Sequence, residues 1–353
     1  MSLRSYIITR ILLTIPTLLL LLSAVFIVMR VLPGDPVALH FEKKATPETM
    51  EAMRRALGMD KPLWIQYVDY LSGLVDIPYL FEHGYPNLGK SMQTFEDVGG
   101  QIFSAFPATL ELAIYSTLIA TLIGIVLGVI SSKHYHSIID HLIRGFGTVT
   151  YAIPIFFLGI IFQLIFGVYL RWLPTGLRLS PTVNPPTGLN IGGIHIATGL
   201  YTIDSLLEGN IFKFFECVKA LLLPSLTLGL ILSGIFIRLT RTNMLETLRL
   251  DFVTAARARG LNESTITYGY ALRNAFLPVL TMMGMQFAIL LGGAILTETT
   301  FSWPGLGRYI VDRINFRDYT AIQGAIVMFG LFVTLVSLAV DILYAYLDPR
   351  IRY

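Results

Sequence analysis

Apolar runs long enough to cross a bilayer recur six times along the chain, near 11–29, 107–130, 146–170, 219–237, 276–297 and 321–346. A hydrocarbon core ~30 Å thick takes roughly 20 helical residues to cross, so each run predicts one spanning α-helix. The pattern predicts an all-α membrane protein with six transmembrane helices. Polar residues collect between the runs, in a long segment over 31–106 and in shorter ones over 131–145, 171–218, 238–275 and 298–320. The chain thus divides into an N-terminal helix over 1–30, a loop region over 31–106, a five-helix core over 107–348 and a tail over 349–353. The first run follows Arg4 and Arg10 and resembles a secretory leader. It exceeds the usual core of roughly 7–15 residues and has no small-residue cleavage site before Arg30, so a retained helix is predicted.

Charge fixes an orientation. With both termini inside, the inner segments hold twelve Lys or Arg against five acidic residues, and the outer segments are slightly acidic. The positive-inside rule then places the N and C termini in the cytoplasm and the large loop between helices 1 and 2 outside. The chain is 54% hydrophobic and only 14% charged, whereas soluble domains carry about 25% charged residues. The arginines sit beside spanning helices, which argues against nucleic acid as a partner. Cys217 is the single cysteine, which excludes an intramolecular disulfide and any cysteine metal cluster. In the first outer segment, Thr46 as N-cap, Pro47 at the first position and Gly58 as a stop predict a short helix. The Pro- and Gly-rich segment 171–218 predicts an irregular or partly β cap.

Candidate chemistry is sparse. GYPNLGKS matches a phosphate-loop pattern through Gly84, Gly89, Lys90 and Ser91. Such a loop needs a strand before it and a helix after it; Pro78 precedes it, Gly99 and Gly100 interrupt the segment on its C-terminal side, and the predicted topology puts Lys90 outside the cytoplasm. Turn formation by Gly84 and Gly89 is the expectation. Two charges fall within spans: Glu111, expected in the first turns after Pro107, and Asp341, with Arg350 and Arg352 as expected counter-ions. Both are expected to be paired near the interfaces and not to form an ion relay. His134, His136 and His141 with Asp140 lie in a short inner loop, where a solvated segment is expected and no metal site. Pro154, Gly159, Pro224, Gly229, Gly234, Gly284, Gly292 and Gly293 permit bending and close helix packing, and no single residue is assigned to a substrate path.

The inner segment DFVTAARARGLNESTITYGYALRNAFLP, residues 251–278, is the most informative. Phe252, Ala255, Ala256 and Arg259 recur at helical spacing on one side. Gly260 is placed to end that helix in a left-handed conformation, and Asn262 to cap a second helix beginning at Glu263. Fringed by Arg249, Arg257, Arg259 and Arg273, this helix–turn–helix is either a docking element for a cytoplasmic protein or an interfacial element on anionic lipid.

TAARARGL followed by LRNAFLP resembles the EAA loop of permease subunits of ATP-binding cassette importers, in the dipeptide and oligopeptide branch. RILLTIPTLLLLLSAVFIVMRVLPGDPV, NLGKS, TFSWPGLGRY and YAYLDPRIR extend the resemblance over the whole chain. Thr254 stands where the general pattern has glutamate, and Pro278 lies farther from Gly260 than in sugar permeases; both departures are similar to the peptide branch. The resemblance implies a type I importer permease fold of the cytoplasmic membrane and a coupling loop over 238–275. It implies that Thr254, Ala255, Ala256, Arg257, Ala258, Arg259, Gly260 and Leu261 meet an ATPase subunit. It also implies a second homologous permease, two ATP-binding subunits and an extracytoplasmic solute-binding protein as partners. ATP and Mg would belong to the partner subunits, with no cofactor and no catalytic residue on this chain. Peptides are the implied cargo, with oligosaccharides, nickel chelates or glutathione open as alternatives. An autonomous channel or secondary transporter is the different class of function, and it would transport without partners.

Overall fold

Among the described residues, five helices are individually long and apolar enough to cross a membrane, and a bent pair brings the number to six if it makes one span. The computed structural model describes residues 3–31, 37–38, 46–191, 194–292 and 294–347. In chain order the described helices begin with α1 (Leu3–Val31), α2 (Pro47–Ala56), α3 (Leu63–Leu74) and α4 (Ile77–His83), followed by α5 (Val98–Lys133). Next come α6 (Ile138–Ala152) and α7 (Ile155–Phe162), which runs on as a wider π turn over Gln163–Tyr169. A hairpin pairs β1 (Leu189–Ile191) with β2 (Ile194–Ile196), Leu189 opposite Ile196. After it lie α8 (Tyr201–Leu207), α9 (Ile211–Thr247), α10 (Asp251–Ala258), α11 (Leu272–Leu291), α12 (Ile295–Thr300), α13 (Leu306–Asn315) and α14 (Tyr319–Leu347). Across the described residues the fold is helical apart from the hairpin, which lies in the segment where a partly β cap is predicted.

Two predicted spans change shape. The run over 146–170 is no straight helix: α6 and the α7 segment meet at 101°. Proline disfavours helical backbone in the residue before it, and Ile153, before Pro154, is extended at φ −74° and ψ 130°. The second span starts at Val98, well before Pro107, and carries Gly99 and Gly100 inside its first turn. Those glycines do not break it. A Cβ on Gly99 would meet the Tyr85 ring and the Pro86 carbonyl, so the missing side chains admit the GYPNLGKS segment. The predicted helix after Thr46 is present as α2, with the Thr46 hydroxyl accepting from the Thr49 amide and Gly58 at φ +64°.

The centre of the bundle is the α5–α9 contact, the most extensive between any two described helices. Side chains at Gly124 and Gly128 of α5 would run into Phe236 and Thr240, and one at Gly229 of α9 into Ile119. In membranes such small residues let backbones approach where water provides no drive to associate. Gly234 sits against the Gly147 carbonyl of α6, Gly159 against Phe301, Gly284 against Val340 and Gly292 against Phe329. The glycines expected to permit close approach therefore act in helix packing; Gly293 lies outside the described residues. Leu112, Leu221, Leu291 and Trp303 are fully buried in the main core cluster, and Trp303 donates its indole N–H to the Ala108 carbonyl at 2.8 Å.

Candidate functional site: the α10 loop

α9 continues to Thr247, and the chain then turns through Leu248–Leu250 into α10, with Asp251 in its first turn. The helix stops because Gly260 adopts φ +78°, a region open to glycine at little cost. The Gly260 amide donates to the Arg257 carbonyl, and the Leu261 amide to that of Ala256. Asn262 then caps the next helix, its side-chain oxygen accepting from the Thr265 amide at 2.7 Å. Across this turn Arg257 holds Glu263 through two hydrogen bonds of 2.8 and 3.3 Å, both side chains exposed. The guanidinium keeps the Glu263 carboxyl below the usual carboxylate range.

Val253 and Ala256 face inward and form a small buried cluster with Ile266, flanked by Leu248 and Leu261. Below it, Ala271 and Ala275 pack on Val129 and Met244, so the loop is joined to the ends of α5 and α9. Of the predicted coupling residues, Thr254, Ala255, Arg257, Ala258, Arg259 and Gly260 are exposed and Leu261 is half-buried. Ala256 departs from the expectation: at 3% exposure it is part of the floor, not of the outward face. The outward face is Phe252, Ala255 and Arg259. Periodicity does not separate them, because Ala255 and Ala256 both lie within the same broad helical stripe and only the position of Ile266 decides which turns in.

Beside the loop, Asp140 is fully buried on α6 and accepts from Arg241 Nε and Nη2 at 2.7 and 2.8 Å, from the His136 amide at 3.1 Å and from the Ser131 hydroxyl. This joint ties the α5–α6 connection to the last turns of α9, from which the chain enters α10. Sequence reasoning misses it, because Asp140 stands there only among its neighbouring histidines. His134 and His141 turn ring nitrogens to the carbonyls of Ile130 and Ser137, bonds local to their own helix turns.

The phosphate-loop match has a different structural role. A helix, α4, precedes it and ends at Gly84, with φ +79°; Gly89 comes next at φ +80°. Lys90 is exposed, while the Ser91 hydroxyl donates to the buried Asp318 carboxylate. Glu111 lies well inside α5, not at its start. It is buried, bonded by Arg178 at 2.7 Å and by the Thr202 amide and hydroxyl at 2.7 Å each. Asp341 pairs with Arg10 of α1 at 3.2 Å; the expected counter-ions Arg350 and Arg352 lie outside the described residues. Glu298 gives no signal in the sequence, yet it is buried and accepts from the Thr109 hydroxyl at 2.8 Å and the Arg308 amide at 3.0 Å.

Known proteins share this arrangement in sequence. Residues 120–353 match the family described as binding-protein-dependent transport system inner membrane component, and residues 3–113 match its N-terminal companion. The chain belongs to this family of membrane components. It is similar to the dipeptide transport system permease protein of Alkalihalophilus pseudofirmus, 38% identical over 99% of both chains. A di/tripeptide transport system permease protein of Pseudomonas aeruginosa is 39% identical over 99% of both. A glutathione transport system permease protein of Escherichia coli is 35% identical over 99% of both. This membrane component is accordingly a multi-pass permease of a transport system, and its role is transport. Its α10 loop lies wholly within the matched region.

Proposed function

We propose that the chain is one membrane-spanning subunit of an ATP-driven importer for di- and oligopeptides, and that α10 is the surface an ATPase subunit grips. The observation that carries this reading is the form of α10. A short helix is fixed from below by Val253, Ala256 and Ile266, while Phe252, Ala255 and Arg259 face away from the protein. An anchored element with an open face transmits a push to the helices beneath it. The Asp140–Arg241 joint and the Ala271–Ala275 contacts would carry that push into α5, α6 and α9, as rigid elements of an alternating-access movement.

The peptide cargo rests on the names of the similar permeases, among which dipeptide systems are the more alike. In this reading both termini are cytoplasmic, a second homologous permease completes the path, two ATPases hydrolyse ATP, and a solute-binding protein docks on the outer loops. No ATP binds to this chain. The test is the reconstituted transporter with all subunits. Ala255→Glu is expected to abolish peptide uptake driven by ATP while leaving the permease folded; undiminished uptake would remove α10 from the coupling path. Lys90→Ala is expected to leave nucleotide affinity unaltered. The permease alone in proteoliposomes is expected to transport nothing, and uptake by it would favour an autonomous channel or secondary transporter.

A further inference from the structure

α3 and α4 present two faces of different kinds. One face of α3 is joined to α1: the Tyr67 and Ser23 hydroxyls share a hydrogen bond of 2.6 Å, and the Tyr70 hydroxyl donates to the Leu22 carbonyl at 3.4 Å. The Phe26 ring lies 5.1 Å from that of Tyr67 and 5.7 Å from that of Tyr70. Away from α1, Trp64 and Val68 of α3 and Val75 at its end recur at helical spacing, exposed by 70, 55 and 73%, and Ile77 and Phe81 of α4 are exposed by 62 and 88%. Asp69, the one charged residue of α3, is engaged by Lys61 at 2.7 Å.

Depth decides what covers this stripe. The apolar span of α1 runs from Ile7 to Arg30. Ser23 lies about 10 Å before its end at ~1.5 Å per residue, below the level of the headgroups. A helix hydrogen-bonded to Leu22 and Ser23 shares that depth. Leu19, Leu20, Ile27 and Val28 of α1 are themselves exposed, as befits the lipid-facing surface of a spanning helix. A water-soluble protein does not reach that level of the bilayer.

We propose that α3 and α4 form an interfacial anchor, lying in the boundary between acyl chains and headgroups of the leaflet in which α1 ends, with Trp64, Val68, Val75, Ile77 and Phe81 against lipid chains. Interfacial helices of this kind sink their apolar face about 5–10 Å into that boundary. The outer loop region is thereby held down on the membrane and does not stand free above it. The inference uses no coupling residue and does not depend on the cargo or on α10.

The experiment places spin labels on single cysteines at Val68, Val75 and Phe81 in a Cys217→Ala background, in the assembled transporter in phospholipid nanodiscs. Collision with oxygen is compared with collision with a water-soluble nickel chelate, and a label at Glu51 of α2 serves as the aqueous reference. The expected result is an oxygen preference several-fold above that at Glu51 for all three labels. A nickel preference, or shielding from both reagents by a protein partner, would overturn the proposal. Quenching of intrinsic fluorescence by brominated lipid avoids the cysteine changes. It is expected to fall in Trp64→Phe relative to the parent, and equal quenching in the two would count against the anchor.

Discussion

At the end of the bundle that carries the hairpin, Glu111 meets Arg178 and Thr202, Glu298 meets Thr109, and Asp318 meets Ser91, every carboxylate buried. At the α10 end, Arg257 and Glu263 meet in the open, and Arg259 lies exposed on the outward face. Burying a charge is costly unless its partners are in place, and the first end supplies those partners from within this chain. An exposed pair contributes little to stability and leaves its surface free to be covered. The difference separates a region whose charges are held from within from a surface left open, which the proposed function assigns to a partner.

The sharpest way to break this contrast is Arg178→Ala, which strands the Glu111 carboxylate among buried groups. The expected loss is about 3–5 kcal/mol of stability, read by thermal unfolding in nanodiscs, with much of it recovered in Glu111→Gln/Arg178→Met. A loss below about 1 kcal/mol would show this buried network to be dispensable. Arg241→Ala extends the comparison, because Asp140 is a buried carboxylate close to α10. It is expected to cost about 3 kcal/mol and to reduce ATP-driven uptake further than stability alone explains.

Next in size is the pair Ala256→Trp and Ala255→Trp. Overpacking at Ala256 should cost about 1–3 kcal/mol. Ala255→Trp should stay within about 0.5 kcal/mol yet stop uptake. Equal stability loss in both would mean that α10 has no separate floor and face. The smallest effect belongs to Glu263→Gln, measured by hydrogen exchange in the turn over 258–265. The Glu263 carboxyl titrates below its unfolded value, ~4.3, so its contribution is full above that pH and is lost as pH falls through the folded value. Protection in this turn should therefore drop on acidification in the parent and change less in the variant.

Much of this is legible in the sequence. The apolar runs, the Thr46 cap, Gly260 and Asn262 are local signals, each decided by a few neighbouring residues, and the structure agrees with them. The bend at Pro154 has a local signal too, but the apolar run across it reads as one span in which proline merely permits bending. What the sequence conceals is non-local. Arg178 lies 67 residues from Glu111, and Thr109 lies 189 from Glu298. Ala256 turns inward because of Ile266 across the turn, and Gly124 and Gly128 matter because of Phe236 and Thr240 on another helix. Single-sequence periodicity reports that a face is apolar and leaves unstated which partner fills it.

The bond from Ser91 to Asp318 spans 227 residues. At a synthesis rate of ~5–20 residues per second, Asp318 emerges roughly ten to forty-five seconds after Ser91. Through that interval the Ser91 turn and the first quarter of the chain are already made, while the carboxylate that closes the turn is still to come. This closure is thus a late event in biogenesis. A chain interrupted before Asp318 would leave the inserted helices without this fastening.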